Sequence, residues 1–246
     1  MFPTIARFGD FEITSFGVLV ALAVLVALQV FSRELRRSGL PAAGADAALT
    51  GVLGGLMGAK LLWSFEHFGE EPWLSLVLSR GGMSWFGGFL GGVGAAIAAM
   101  RVTGVPILAT VAAATPALAI GHAIGRVGCF LVGDDYGRPT DLPWGVAFPL
   151  GLPPTVDRVH PTQLYEAVVL VGIAALLSSW RRQRVADVAV LGRYLVLAGV
   201  LRFGIEFLRV NERLVGPLTL AHMISLGLVA VGLIVLATGR GATTRA

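Results

Sequence analysis

The chain has 246 residues, 55% hydrophobic and only 14% charged, with 33 glycines and a mean hydropathy of +0.78. Soluble domains carry about 25% charged residues, so this balance excludes a disordered chain, a nucleic-acid-binding domain and an ordinary cytosolic enzyme, and leaves a polytopic membrane protein. The single cysteine, Cys129, excludes an intramolecular disulfide framework and a cysteine-only metal site. The net charge of +4 and pI near 10 must then be explained by where the charges sit.

A bilayer core about 30 Å thick takes about 20 apolar residues of helix. In chain order the sequence predicts seven spans, over residues 13–31, 47–65, 84–100, 105–125, 161–180, 187–207 and 217–239. The fold class expected is an all-α polytopic membrane protein with an outer, periplasmic-side interfacial cap. One transmembrane domain covers residues 1–246, with the cap loop at 130–160 inside it. The basic cluster Arg33, Arg36 and Arg37 follows the first apolar run, a stop-transfer pattern rather than a cleaved signal peptide. With the N-terminus outside, the inner segments carry Arg33, Arg36, Arg37, Arg101, Arg181, Arg182, Arg184, Arg240 and Arg245 beside little acid. That is the distribution expected of cytoplasmic loops. The outer segments mix Arg7, Arg80, Arg126, Arg138, Arg158, Arg209 and Arg213 with most of the acidic residues.

Chemistry concentrates on that outer side. Arg126 stands where the fourth span meets the cap, flanked by Gly121, Gly125 and Gly128, which let a ligand or another backbone approach. It is either an arginine reaching the interface or a clamp for a lipid phosphate, since the guanidinium fork matches phosphate geometry. His122, one turn earlier, shares its helix face. Arg202, Glu206 and Arg209, spaced i, i+4, i+7, share another. Charges at membrane depth are rare and usually face a bundle interior, so Arg202 and Glu206 are either a self-satisfied packing pair or a second cation aimed at the same cavity. His160-Pro161 opens the fifth span, with Gln163 and Glu166 on one face. Tyr165 reads as an interface aromatic, and His67 and His222 as interfacial or structural. The glycine-rich opening of the third span, GGMSWFGGFLGG, is served equally by a tight helix crossing and by lipid access. The scattered histidines do not make a metal site. Lys60 and Arg193, within spans, fit either packing or function.

Together these stretches resemble the prolipoprotein diacylglyceryl transferase family over nearly the whole chain, from Met1-Phe2-Pro3 to Pro217–Ser225. Gly125-Arg126-Val127-Gly128-Cys129-Phe130 through Gly133, Tyr136-Gly137-Arg138 and Pro143-Trp144-Gly145 is similar to the family signature G-R-x-G-N-F with its W/Y-G-R ending. His160-Pro161-Thr162-Gln163-Leu164-Tyr165-Glu166 resembles H-P-[ST]-Q-L-Y-E, and Arg202-Phe203, Glu206-Phe207 and Arg209 resemble R-F-x-x-E-F-x-R. The resemblance implies a multi-pass transferase of the bacterial inner membrane, N-terminus outside and C-terminus cytoplasmic. Its reaction would move the diacylglyceryl group of phosphatidylglycerol to the lipobox cysteine of prolipoprotein signal peptides, releasing glycerol-1-phosphate. It implies catalytic Arg126 and Arg202, with Glu206 orienting Arg202; His122, on the face of Arg126, is added to the catalytic set from its position alone. Substrate contacts would come from Arg126, Gly125, Gly128, Asp134, Arg138, His160, Gln163, Tyr165, Glu166, Arg209, Gly87 and Gly88. No metal or organic cofactor, no nucleic acid, a lipid bilayer around the chain and a monomeric state complete the expectation.

The sequence also departs from the family pattern. The S-F-H-G-G slot reads Ser84-Trp85-Phe86-Gly87-Gly88, so Phe86 stands where the family has a histidine. Cys129 replaces the signature Asn, Val132-Gly133-Asp134 replaces N-G-E, and Phe16 replaces a Tyr. Deprotonation of the incoming thiol then falls to His122 or Asp134, or the chain is an altered or inactive paralogue. The reading from another class is a small-solute transporter. It is disfavoured because no internal repeat is present and the polar groups gather at one edge.

Overall fold

The computed structural model describes residues 3–9, 11–79 and 81–243. Met1 and Phe2 of the opening motif, Arg80 of the outer segment and Arg245 of the tail lie outside the described residues. The elements in order are β1 (Thr4–Phe8), β2 (Phe11–Thr14), α1 (Ser15–Ser38), α2 (Ala43–Glu66), α3 (Trp73–Leu78), α4 (Trp85–Val102) and α5 (Ile107–Val132). They continue with β3 (Val146–Phe148), β4 (Thr155–Val159), α6 (Thr162–Arg182), α7 (Asp187–Glu206), β5 (Arg213–Val215), β6 (Leu218–Thr219) and α8 (Leu220–Thr243). All helices except α3 are long and apolar enough to cross a membrane, which makes seven among the described residues. The chain is therefore an all-α polytopic membrane protein, and many of its large apolar side chains face outward, Leu25, Val168 and Ile234 among them.

Several predicted boundaries shift, each for a physical reason. The first span runs past Phe31 to Ser38 because its charged end stays helical: Glu34 and Arg37 pair one turn apart at 2.5 Å, while Leu35 is buried. Only then does Gly39, at φ +67°, end it. The fourth span continues beyond Gly125 to Val132, so Arg126 and Cys129 lie within α5 rather than at the mouth of a loop. Gly133, at φ +76°, stops that helix, and the amides of Gly133 and Asp134 both donate to the Cys129 carbonyl. The irregular stretch expected from Phe130 therefore starts three residues later. The seventh span begins at Leu220 rather than Pro217, because residues 213–219 form the β5–β6 hairpin around Gly216 at φ +57°.

The chain divides into two compact units, residues 1–30 with 111–246, and residues 31–110. The division falls within α1 and within α5. In the second unit α2 and α4 cross on glycines. A Cβ on Gly58 would meet the Gly87 carbonyl at 2.4 Å, and one on Gly91 would meet the Gly54 carbonyl at 2.5 Å. The glycine-rich third span thus serves a tight helix crossing. Lys60 reaches Ser79 Oγ at 2.7 Å and the Gly81 carbonyl at 2.6 Å and lies over the Trp63 ring, so it anchors the segment before α4.

The first unit holds α5 from Val111 onward and α6 to α8, with a core of Ala119, Ile173, Ala174, Leu177 and Val190. Helix α5 carries Pro116, which frees the Ala112 carbonyl; the Thr115 hydroxyl donates to that oxygen at 2.9 Å, satisfying it in an apolar setting. Arg193 stacks on Trp180 at 4.7 Å and is a packing charge. Between α5 and α6 the β3–β4 hairpin forms the cap. Phe148 is fully buried there, with Tyr136 stacked on it and Phe130 edge-on.

Candidate active site

The C-terminal end of α5, the start of α6, the C-terminal end of α7 and the segment before α8 bring their polar residues together. Arg126 stands in the last two turns of α5 and pairs with Glu166 through Nε and with Asp135 through NH1 at 2.8 Å. Arg202 on α7 bonds the other oxygen of Glu166 at 3.1 Å and Glu206 Oε2 at 2.6 Å. Arg209 closes the set, paired with Asp135 and lying 3.8 Å from Glu206. Three guanidiniums and three carboxylates thus alternate in a closed ring: Arg126, Glu166, Arg202, Glu206, Arg209, Asp135. Alternation compensates each charge, and Glu166 and Glu206 are buried, where an unpaired charge is costly.

Sequence spacing anticipates two links of this ring, Arg202–Glu206 at i, i+4 and Glu206–Arg209 at i, i+3. The links that decide the site are long-range. Glu166 joins α5 to α7 because Pro161 and Thr162 start α6 here, placing Gln163 and Glu166 on its buried face. The Gln163 amide donates to the Asp134 carbonyl at 2.5 Å, and Thr162 Oγ1 donates to the Asp135 carbonyl at 2.9 Å. Glu206 is fixed from behind by Asn211 Nδ2 and Thr219 Oγ1, both at 2.7 Å from Oε1. Thr219 also donates its amide to Nδ1 of His222, which is buried against Phe203 and Phe207. His222, read from sequence as interfacial or structural, therefore supports Glu206 through Thr219. Asp135, Asn211 and Thr219 were not among the expected site residues. Only the position of Asp135 beside the signature hinted at a role.

The remaining expected residues take varied places. His122 is exposed on α5, one turn before Arg126, and makes no hydrogen bond among the described residues. Gly125 faces open space, whereas Gly121 packs on Ala27 and Gly128 on Phe16 and Leu19 of α1. Of the three glycines around Arg126, one thus leaves room for a ligand and two serve a helix contact. Gly137 has no room for a side chain, since its Cβ would meet the Leu208 carbonyl at 2.6 Å. This close approach lets the Arg138 amide donate to Leu208 O and accepts His160 N–H on Arg138 O, stitching cap to bundle. The Arg138 side chain is exposed. His160 Nδ1 lies 3.3 Å from the Tyr165 hydroxyl, which accepts from Trp144 Nε1 at 2.7 Å. Burial, and then the charge of Arg138, lower the His160 pKa. Gly87, Gly88 and Phe86 belong to the other unit. Gly87 packs on Gly58, a Cβ on Gly88 would lie 3.4 Å from Ala59 Cβ, and Phe86 is exposed beside Trp85.

The cap carboxylates differ. Burial pushes the Asp134 carboxyl up, with the Asp135 charge adding to it against a hydrogen bond to Cys129. For Asp135 burial also acts upward, but hydrogen bonds and charges from Arg209 and Arg126 outweigh it and hold the carboxyl at about 2. Cys129 Sγ and the Asp134 and Asp135 carboxylates have ligand atoms within 4.8 Å of one another. A cation there would face Arg126 and Arg209, which already hold both Asp135 oxygens.

Seven apolar helices define a polytopic membrane protein, and in its first unit a ring of three arginines and three carboxylates ties α5 and α6 to the C-terminal end of α7. The family model for prolipoprotein diacylglyceryl transferase matches residues 3–238. Proteins named phosphatidylglycerol–prolipoprotein diacylglyceryl transferase are similar throughout: that of Geobacter sulfurreducens is 34% identical, covering 94% of this chain and 92% of its own. That of Synechococcus elongatus is 33% identical over 94% and 85%, and that of Methylococcus capsulatus 30% over 96% and 94%. The chain belongs to the prolipoprotein diacylglyceryl transferase family.

Proposed function

We propose that the chain transfers the diacylglyceryl group of phosphatidylglycerol to the cysteine thiol of a prolipoprotein, releasing glycerol-1-phosphate. The observation that carries this reading is the sharing of the Glu166 carboxylate by Arg126 and Arg202, which sets two guanidiniums side by side. The substrate sulfur attacks the glyceryl carbon bonded to the phosphodiester. A carbon–sulfur bond forms, the carbon–oxygen bond breaks, and its electron pair leaves on the phosphate oxygen. That leaving group gains a charge, and fixed guanidiniums in a site of low dielectric stabilise it more than water would. Glu206 orients Arg202. The nucleophile is the thiolate, so the thiol proton must be accepted. His122, exposed and without a hydrogen bond one turn from Arg126, takes it, with Asp134 as the second acceptor. Cys129 supplies no nucleophile. Gly125, Arg138, His160, Gln163, Tyr165 and Arg209 contact substrate.

The cap after α5, at 133–160, admits the lipobox segment of the signal peptide. The chain acts as one transmembrane domain and as a monomer, in the bacterial inner membrane, with its N-terminus and the arginine ring on the outer side and its C-terminus cytoplasmic. The catalytic groups named are all side chains of the protein.

Purified protein should convert a lipobox peptide and phosphatidylglycerol to diacylglyceryl-peptide, and should restore growth to a strain depleted of its own transferase. Arg126→Ala and Arg202→Ala should each lower turnover by at least roughly 10²-fold while the protein still inserts in the membrane. No product from the wild type, while a relative reacts in parallel, overturns the reading.

A further inference from the structure

The three carboxylates of the ring are not equivalent. The side chains of Glu166 and Glu206 are 3% and 0% exposed, whereas that of Asp135 is 42% exposed. Glu206 has two further buried donors, Asn211 and Thr219, and Glu166 sits between two helices. Asp135 instead stands three residues past the end of α5, at φ +60°, a left-handed conformation that few residues other than glycine adopt. Its carboxylate gives one oxygen to Arg126 NH1 and the other to Arg209 NH2.

Neither guanidinium depends on that carboxylate for its place. Arg126 is held by Glu166 through Nε. Arg209 NH1 donates to the Asp135 backbone carbonyl at 3.1 Å, and that carbonyl is itself fixed by Thr162 Oγ1 at 2.9 Å. The side chain can rotate away while both cations and the backbone stay. It would leave two guanidinium edges spaced for a bridging two-oxygen anion, and a phosphate meets guanidiniums in the same bidentate manner as a carboxylate.

We propose that Asp135 is a gate carboxylate: it occupies, between Arg126 and Arg209, the place of the phosphate that passes from lipid substrate to released product, and that phosphate displaces it. This rests on the transferase reading for the identity of the phosphate ester. The gate makes Arg209, with Arg126, the pair that first receives the headgroup, while Arg202 remains tied to the two buried glutamates. The returning carboxylate competes with the product phosphate and so favours its release. Asp135 is thus a positioning residue that sets phosphate affinity.

The test uses the purified full chain carrying Asp135→Asn or Asp135→Gly, both compatible with a left-handed backbone. One arm measures Kd for glycerol-1-phosphate by titration calorimetry, the other KM for phosphatidylglycerol in mixed micelles. Loss of a half-exposed competing charge should lower both about three- to tenfold. A merely structural Asp135 would raise them as the arginines lost their order. Unchanged or raised values in both variants, with wild-type protein making product, overturn the gate alone. A Kd that falls while the wild type makes no product leaves the gate standing and overturns the transferase reading. A fall in Kd without a fall in KM assigns the place to free phosphate and overturns displacement by the lipid.

Discussion

His122 is the side chain on which the proposed proton transfer turns. Within the family pattern the third-span histidine is replaced by Phe86, which has no proton acceptor. His122 lies on the same face of α5 as Arg126, is exposed and lacks a hydrogen-bond partner among the described residues, so its ring can turn toward a bound thiol. His122→Ala should therefore lower kcat by about 10²–10⁴-fold with KM for phosphatidylglycerol little changed, measured on peptide and lipid in detergent. An unchanged rate moves the role to Asp134, whose carboxyl burial pushes upward. The site was only partly legible at this scale. Arg202 and Glu206 are one turn apart and can be paired from spacing alone. Glu166 and Arg126 are 40 positions apart, and only the packing of α6 against α5 joins them. Asp135 could not be paired from spacing because its partners, nine and 74 positions away, come from α5 and from the irregular segment after α7.

Among the elements, the α2–α4 crossing shows most directly how composition becomes packing. Gly54, Gly58, Gly87 and Gly91 bring two backbones so close that a Cβ would fall within 2.9 Å of a carbonyl oxygen at each. Gly58→Val should then destabilise the protein by about 1–3 kcal/mol through overpacking, read as a lower midpoint in detergent denaturation. Gly94→Val is the control, because nothing lies within 4 Å of its Cβ. Equal shifts in the two variants would show that the cost is one of helix propensity rather than of the crossing. Hydropathy finds such helices readily but not their ends. Ser38 and Val132 close helices that continue with charged or polar residues past the apolar run, and both stop where a left-handed glycine follows, at Gly39 and Gly133. The hairpins were not legible at all. Strands of two to five residues, such as Leu218–Thr219 and Thr155–Val159, give too few alternating positions to stand out from a loop.

At the scale of the whole molecule, the ring changes the meaning of the net charge. It takes up three arginines and three carboxylates, so it removes equal numbers from the 19 basic and 15 acidic residues and leaves the excess of four untouched. That excess must lie elsewhere. Arg36, Arg37, Arg101, Arg181 and Arg182 stand in the last turns of α1, α4 and α6, at helix ends that do not carry the ring. Lys and Arg concentrate in the cytoplasmic loops of membrane proteins, which is the physical ground for the proposal that the ring lies on the outer side. Because Cys129 is the sole cysteine, Cys129→Ser gives a cysteine-free background for testing this. In that background Asp157→Cys, on the exposed part of β4, should react with a membrane-impermeant maleimide applied to intact spheroplasts. Gln183→Cys, exposed after α6, should react only once the membrane is opened. The reverse pattern would put the arginine ring on the cytoplasmic face and refute the orientation drawn from the charges.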